Sequence, residues 1–287
     1  MELSEEEHGP ELEAVLQDHL RKWQLTLNAA PMTTLSSYIV FVGSPAGPAV
    51  LKLFRPPYEE AASSRALLHF GDIAPRIFQF TDRALLMERI MPGTPLAELS
   101  LAGRDDEATE IICALATQLR ALPLPQGQWR SIEEWGEGFA RHRAGPGHPL
   151  LPLELINAGE RVYFDLCSAQ PRRILLHGDL HHQNILRDAA GNWRVIDPKG
   201  VMGESAFELG TALHNPIGFP DVFTSEDLLL RRVGMMSARL GYPEERLLRW
   251  LFAQSVLSLV WLAEDGFGAA EIRPLLQLIN ISRRLLA

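Results

Sequence analysis

Residues 177–186, HGDLHHQNIL, place three histidines, an aspartate and an asparagine within eight positions, and WRVIDPKG follows after a short turn. Three chemistries compete for this stretch. His177, Asp179 and His181 alternate, so on a strand they would face one way as metal ligands of a hydrolase. Gly178 and the polar run behind it read as a loop instead, and the only later histidine to complete a two-metal set is His214. A plain polar loop would explain Asp179 or Asn184 alone, since both residue types favour turns. It leaves unexplained a second carboxylate, Asp197, brought back toward Asn184 by the following hairpin, because facing buried carboxylates need cations or donors. Phosphoryl transfer accounts for all three: Asp179 accepts the proton of an attacking hydroxyl, and Asn184 and Asp197 offer hard oxygen ligands to Mg²⁺ bridging nucleotide phosphates.

The elements that must position these groups are readable around them. RILL runs into the motif as a strand, and NILR and WRVID form a hairpin across DAAGN. Such a catalytic loop needs a strand lysine with an acidic partner on the next helix. Lys52, one of only two lysines in the first 198 residues, lies in AVLKLF. Without context such a lysine snorkels at an edge as readily as it functions. The downstream helix in YEEAASSRALLHFG carries Glu60 on its apolar face, with Glu59 as the second choice. The first ninety residues thus read as a helix over 11–23, two strands (SSYIVFVG, AVLKLF), a helix ending near Gly71, and two strands (PRIFQFT, ALLMERI).

MPGTPLAEL breaks this pattern and reads as the crossing to a mostly helical second lobe, giving lobes at 1–91 and 92–287. Ile111, Ile112, Leu115, Leu119 and Leu122 recur at helical spacing behind an acidic start, and Ser131 with Glu134 predicts a capping box. Another helix spans 153–169, and three more close the chain over about 224–240, 243–264 and 269–286.

Bulk properties narrow the partners. The 287 residues suffice for two lobes around one cleft, and 46% hydrophobic with 22% charged residues is ordinary globular composition. A net charge of −9 argues against nucleic-acid binding and tolerates a cationic small molecule. Cys113 and Cys167 make no disulfide framework, and Cys113 falls in an apolar helical pattern that predicts core packing. No signal core and no run of eighteen apolar residues occurs, so a soluble chain in a reducing cytoplasm is expected.

H-x-D-L-x-x-x-N followed by a strand ending in Asp resembles the catalytic and metal loops of protein kinases. Together, LLHGDLHHQNIL…WRVIDPKGVMGESAFELG resembles the aminoglycoside phosphotransferase superfamily, and within it the streptomycin 6-kinase (aminoglycoside/hydroxyurea resistance kinase) group. TLSSYIVFVGSPAGPAVLKLF and LSLVWLAEDG extend the likeness to residues 30–268. The resemblance implies a two-lobed, protein-kinase-like α+β fold that uses ATP and Mg²⁺. It implies Lys52 on the α- and β-phosphates, backbone groups of Glu88 to Ile90 at the adenine edge, and Met87 behind it. Glu208 would anchor the catalytic loop, and His177 would pack it.

Several departures matter. No G-x-G-x-x-G loop precedes Lys52; Ser36 and Ser37 stand there, either covering the nucleotide or as ordinary strand-edge serines. No P-loop occurs. Gly178 and Pro198 replace the arginine and phenylalanine of protein kinases and no A-P-E segment follows, so a small-molecule alcohol is the expected acceptor rather than a protein. For a polycationic aminoglycoside, carboxylates are expected from Glu204, Glu264 and Asp265, with Trp261 against a sugar ring; solvated helix ends and core packing are the plainer readings of the same residues. Lys199 either steadies the transferred phosphate or balances nearby acids. A kinase for a sugar, amino alcohol or hydroxyurea, and a nucleotide-binding module without catalysis, are the remaining alternatives.

Overall fold

The computed structural model describes residues 9–34, 36–56, 61–145, 147–216 and 218–287. The first lobe runs α1 (Gly9–Lys22), β1 (Thr26–Leu27), β2 (Met32–Thr33), β3 (Ser37–Ser44), β4 (Gly47–Phe54), α2 (Ala61–Phe70), β5 (Ile77–Phe80) and β6 (Ala84–Glu88). Its antiparallel sheet has the order β1-β3-β4-β6-β5, with β2 also paired to β3. The short β1 and β2 left no alternation long enough to read in the sequence.

Strand periodicity splits this lobe into two faces. Ala49, Leu51 and Leu53 join Val40, Val42, Ala84 and Leu86 in a core closed by Leu16 of α1, with Leu12, Val15, Leu20 and Trp23 packed beside it. Val50, Lys52 and Phe54 therefore face the other way, into the cleft between the lobes. Lys52 lies opposite Ile39 and Leu85 in the sheet register, which fixes its height.

The second lobe continues β7 (Pro92–Pro95), α3 (Ala97–Leu101), α4 (Asp105–Ala121), α5 (Ile132–Ala144) and α6 (Leu153–Ser168). Then come β8 (Ile174–Leu176), β9 (Ile185–Asp188), β10 (Trp193–Val195), β11 (Val201–Gly203), α7 (Ala206–Leu213), α8 (Pro220–Phe223), α9 (Glu226–Leu240), α10 (Glu244–Glu264) and α11 (Ala269–Leu285). One expectation changes here, and one strand pairing is new. Pro92–Pro95, read as an irregular crossing, pairs with β9 as the edge of a three-stranded sheet. The segment after the hairpin folds back as β11 and pairs with β8, a long-range match that local pattern does not encode.

Ser131 caps α5 in the expected box: its hydroxyl accepts from the Glu134 amide, and the Glu134 carboxylate accepts from the Ser131 amide. Cys113 and Cys167 are both buried thiols. α10 runs through the lobe interior, against α5, α6, α7, α9 and α11. By length and a mean hydropathy of 1.3 it qualifies to cross a membrane, yet 67% of that window is buried inside the fold, as a core helix requires. Gly159 of α6 makes room for this packing, since a Cβ there would meet the Val256 side chain at 2.6 Å. Arg232 of α9 is fully buried against Asp105 of α4 through two hydrogen bonds of 2.8 and 2.6 Å. Its guanidinium also lies 3.4 Å from His182 Nε2, so this ion pair braces the catalytic loop from beneath.

Candidate active site

β8 delivers His177, and the His177 ring stitches the loop together. Its Nε2 donates to the Ile196 carbonyl at 2.9 Å and its Nδ1 accepts from the Asp179 amide at 3.2 Å. Both nitrogens are spent in one neutral tautomer, and burial pushes the ring's pKa down to about 4. The next residue, Gly178, has φ +80°, and a Cβ on it would meet Trp135 and Val201 at 3.0 Å. Its amide donates to both Glu208 carboxylate oxygens at 3.2 and 3.1 Å, from a fully buried position on α7. Burial pushes the Glu208 carboxyl up to about 8, against the pull of the amides of Gly178, His177 and Leu180.

These bonds present Asp179 at the mouth of the loop. Asn184 Nδ2 donates to the Asp179 carbonyl at 3.0 Å and to Oδ2 at 3.2 Å, while His181 Nε2 lies 3.6 Å from Oδ1. Burial alone would raise the Asp179 carboxyl; the His181 hydrogen bond and the charges of His181 and Lys199 outweigh it and hold the group below its usual range. Asp179 is thus an ionised carboxylate able to accept a proton.

The β9–β10 hairpin returns Asp197, in the left-handed region at φ +55°, next to Lys52. Lys52 Nζ is 2.5 Å from Asp197 Oδ1 and Lys199 Nζ is 3.3 Å from Oδ2. Burial would raise the Asp197 carboxyl, but the two ammonium charges drive it far below the usual carboxylate range. The oxygen set fits a hard cation: Asp197 is fully ionised, and Asn184, whose nitrogen is committed to Asp179, turns its amide oxygen away from that bond.

Above these groups the lobes enclose a cavity of about 180 Å³. Ile39, Val50, Phe54, Leu67, Leu85 and Met87 make an apolar slot suited to a flat base, and Lys52, Asn184 and Asp197 close one end with charge suited to phosphates. Along 88–90, the Glu88 amide is spent on the Arg76 carbonyl at 2.8 Å and the Arg89 amide on the Pro48 carbonyl at 3.1 Å. Among the described residues the Ile90 amide donates to none, which narrows the expected base-edge donor to Ile90. The Glu88 side chain faces Arg76 and Arg194 instead.

Other expectations are corrected. Ser37 is fully buried, with its hydroxyl 3.0 Å from the Thr34 hydroxyl, so it is shut away from any phosphate; Ser36 beside it is exposed. Glu204 is not at the mouth of the lobe. It is 1% exposed, accepts from Arg246 at 3.0 and 2.6 Å and from the Trp250 indole at 2.5 Å, and ties α10 to the start of α7. Glu59 and Glu60 lie outside the described residues.

Trp261, Glu264 and Asp265 do gather at the end of α10. Arg141 of α5 pairs with Glu264 at 3.2 and 3.0 Å, while burial and the neighbouring Glu264 push the Asp265 carboxyl up. The sequence reading missed Trp135, whose ring meets Trp261 edge-to-face at 5.7 Å while filling the space beside Gly178. It links the aromatic wall directly to the loop carrying Asp179. No spacing rule flags it, because it is one half-buried aromatic in an amphipathic helix. The metal-hydrolase reading fails on geometry: His177 has no free nitrogen, and no group of three or more His, Cys, Asp or Glu among the described residues is placed to hold a metal.

Comparison with known proteins places these features in context. Residues 22–266 match the family model for aminoglycoside/hydroxyurea antibiotic resistance kinases. The chain is 33% identical over 283 residues to a streptomycin 3''-kinase of Klebsiella pneumoniae, covering 93% of this chain and 100% of the relative. It is 27% identical to a streptomycin 6-kinase of Streptomyces glaucescens, over 91% of this chain and 86% of the relative. It is 30% identical to a hydroxyurea phosphotransferase of Kitasatospora aureofaciens, over 87% and 72%. In fold it resembles aminoglycoside phosphotransferase APH(4)-Ia, solved as a ternary complex with ADP and hygromycin B, with TM-score 0.69 at 14% identity over 94% of this chain and 98% of that one. Choline kinase LicA from Streptococcus pneumoniae matches with TM-score 0.69 at 14% identity, over 96% and 99%.

Proposed function

We propose, from the premise that the chain belongs to the aminoglycoside/hydroxyurea antibiotic resistance kinase family, that it transfers the γ-phosphoryl group of ATP to a hydroxyl of a streptomycin-type aminoglycoside. The observation that carries this reading is the meeting of Lys52, Asn184 and Asp197 at the charged end of one apolar slot, with Asp179 held beside them by the Asn184 amide. When bound, Mg·ATP would supply the phosphoryl group and neutralise charge on the phosphates; Asn184 Oδ1 and the Asp197 carboxylate are the oxygens that would hold the metal.

The chain's own residues then do little covalent work. Lys52 hands its ammonium from Asp197 to the nucleotide phosphates. The Asp179 carboxylate orients the acceptor hydroxyl and takes its proton, and His181 keeps that carboxylate charged until it does. Closure of the slot around an apolar base excludes water that would otherwise compete as acceptor. The acceptor lies against Trp135 and Trp261, with Glu264 and Asp265 as anionic contacts for a cationic sugar. A small-molecule reaction drawing on ATP fits a cytoplasmic location and calls for neither nucleic acid nor membrane.

A second reading, hydroxyurea as acceptor, is favoured by the 30% identical hydroxyurea phosphotransferase. The test is ADP release by the purified protein with ATP, Mg²⁺ and each acceptor in turn. Streptomycin-stimulated release supports the first reading and hydroxyurea-stimulated release the second. ATP binding without release for any acceptor in a panel of aminoglycosides, sugars and amino alcohols would overturn both.

A further inference from the structure

Two ammonium groups flank Asp197, one on each oxygen. Lys52 reaches Oδ1 from β4 at 2.5 Å with its side chain 9% exposed, whereas Lys199 reaches Oδ2 at 3.3 Å with its side chain 39% exposed. The Lys199 backbone is not free to drift. Its amide donates to the His177 carbonyl at 2.7 Å and the Gly200 amide shares that acceptor at 3.2 Å, so the turn after Asp197 is tied to the strand that carries the catalytic loop. The Lys199 Cβ stands 3.3 Å from where a Cβ on Gly178 would be, immediately beside Asp179. Its charge is felt by Asp179 as well as by Asp197.

An ammonium so placed touches the Asp197 carboxylate directly and acts by charge on the Asp179 carboxylate as well. In the proposed reaction the phosphoryl group passes from a nucleotide held at Asp197 to an acceptor held at Asp179, within reach of both effects. Both ammonium charges offset Asp197, and of the two Lys199 is the more exposed. A partly exposed lysine on a backbone-tied turn is suited to following a moving charge.

The geometry points to Lys199 as a further catalytic residue, whose ammonium contacts the equatorial oxygens of the transferring phosphoryl group and binds them most strongly midway through transfer. The inference rests on the phosphotransferase reading above. In the step, the bond from phosphorus to the β-phosphate oxygen breaks and the electron pair stays on ADP. The bond from phosphorus to the acceptor oxygen forms, the acceptor proton goes to Asp179, and Lys199 stays protonated throughout.

The test compares wild type, Lys199→Met and Lys199→Arg by calorimetric titration with Mg·ADP alone and with Mg·ADP plus aluminium fluoride, a mimic of the phosphoryl group in flight. In Lys199→Met the Mg·ADP affinity should stay within about threefold of wild type while the added affinity from aluminium fluoride falls by about 10² and kcat by ~10²–10³. Lys199→Arg should recover part of both. Equal weakening with and without aluminium fluoride, or no weakening in either, would overturn the proposal, provided the variant's melting temperature matches wild type; if it does not, Lys199→Gln replaces it in the same comparison. Wild type that fails to bind Mg·ADP at all would overturn the phosphotransferase reading and this role together, a distinguishable result.

Discussion

Lys52 and Asp197, 145 positions apart in the chain, meet across the cleft at 2.5 Å and join the sheet lobe to the helical lobe at the charged end of the slot. The pair holds both charges together, and in the proposed reaction nucleotide phosphates would compete for the lysine. Lys52→Met should lower kcat/KM for ATP by about 10²–10³ in steady-state assays, because the lost donor is aimed at developing phosphate charge. Lys52→Arg should not restore it, since a planar fork does not replace a point charge in a slot this narrow. Activity within threefold of wild type, on the scale of about 0.65 kcal/mol in the barrier, would contradict this use of the pair.

Within residues 177–184, both conformation and space exclude a side chain at Gly178. At φ +80°, with Trp135 and Val201 already at 3.0 Å from a hypothetical Cβ, Gly178→Ala should cost about 1–3 kcal/mol of stability. Displacing the adjoining Asp179 should cost activity by about 10² even where the protein remains folded. Urea denaturation and turnover of the same preparation check both numbers. Full activity would mean that the loop tolerates the shift.

The buried ionisable groups of the loop set a pH dependence with two opposed limbs. His177 and His214 have folded pKa values depressed from 6.5 to about 4, so each contributes stability above 6.5 that is lost as pH falls toward 4. Glu208 is raised from 4.5 to about 8, so its contribution is present below 4.5 and is lost as pH rises toward 8. Below 6.5 the histidines oppose Glu208, and above it Glu208 acts alone. Denaturation midpoints should therefore decline from pH 6.5 to pH 8, and Glu208→Gln should flatten that decline while leaving the acid limb in place. An unchanged alkaline limb in Glu208→Gln would contradict the assignment.

Two glutamates of similar appearance in the sequence should behave oppositely. Glu204→Ala leaves the buried Trp250 indole without its acceptor and the partly exposed Arg246 with only backbone carbonyls, and should cost about 1–3 kcal/mol of stability in denaturant titrations. Glu264→Ala, which loses only the exposed pairing with Arg141, should leave stability nearly intact and raise the KM for streptomycin by about tenfold, roughly 1.4 kcal/mol of lost contact, with ATP affinity unchanged. A KM effect from Glu204→Ala at unchanged stability would reverse the assignment.

What the sequence revealed and what it hid follow from distance along the chain. Asp179 and Asn184 are five positions apart in one loop, and Asp197 closes the adjoining hairpin, so their spacing alone carries the chemistry. Lys52 was legible because strand alternation places it opposite Leu51 and Leu53, away from the core those residues fill. Glu204 was misread because its partners, Arg246 and Trp250, lie 42 and 46 positions away on another helix and leave no local trace. Ser37 was misread for a related reason: its hydroxyl turns back to Thr34 within the sheet margin, which composition does not reveal. Trp135 and the β8–β11 pairing escaped notice because only tertiary packing gives them a role. The family likeness supplied the expectation of a nucleotide edge at 88–90, where the Glu88 and Arg89 amides are spent on described carbonyls and the Ile90 amide is not.

The most direct test of the central claim is mass spectrometry of streptomycin after incubation with ATP, Mg²⁺ and the purified protein, beside Asp179→Asn. The account predicts a single added phosphoryl group on streptomycin with wild type and none with the variant, which should still bind Mg·ATP. Phosphorylated streptomycin formed equally well by Asp179→Asn would contradict the role given to Asp179 and the site built around it.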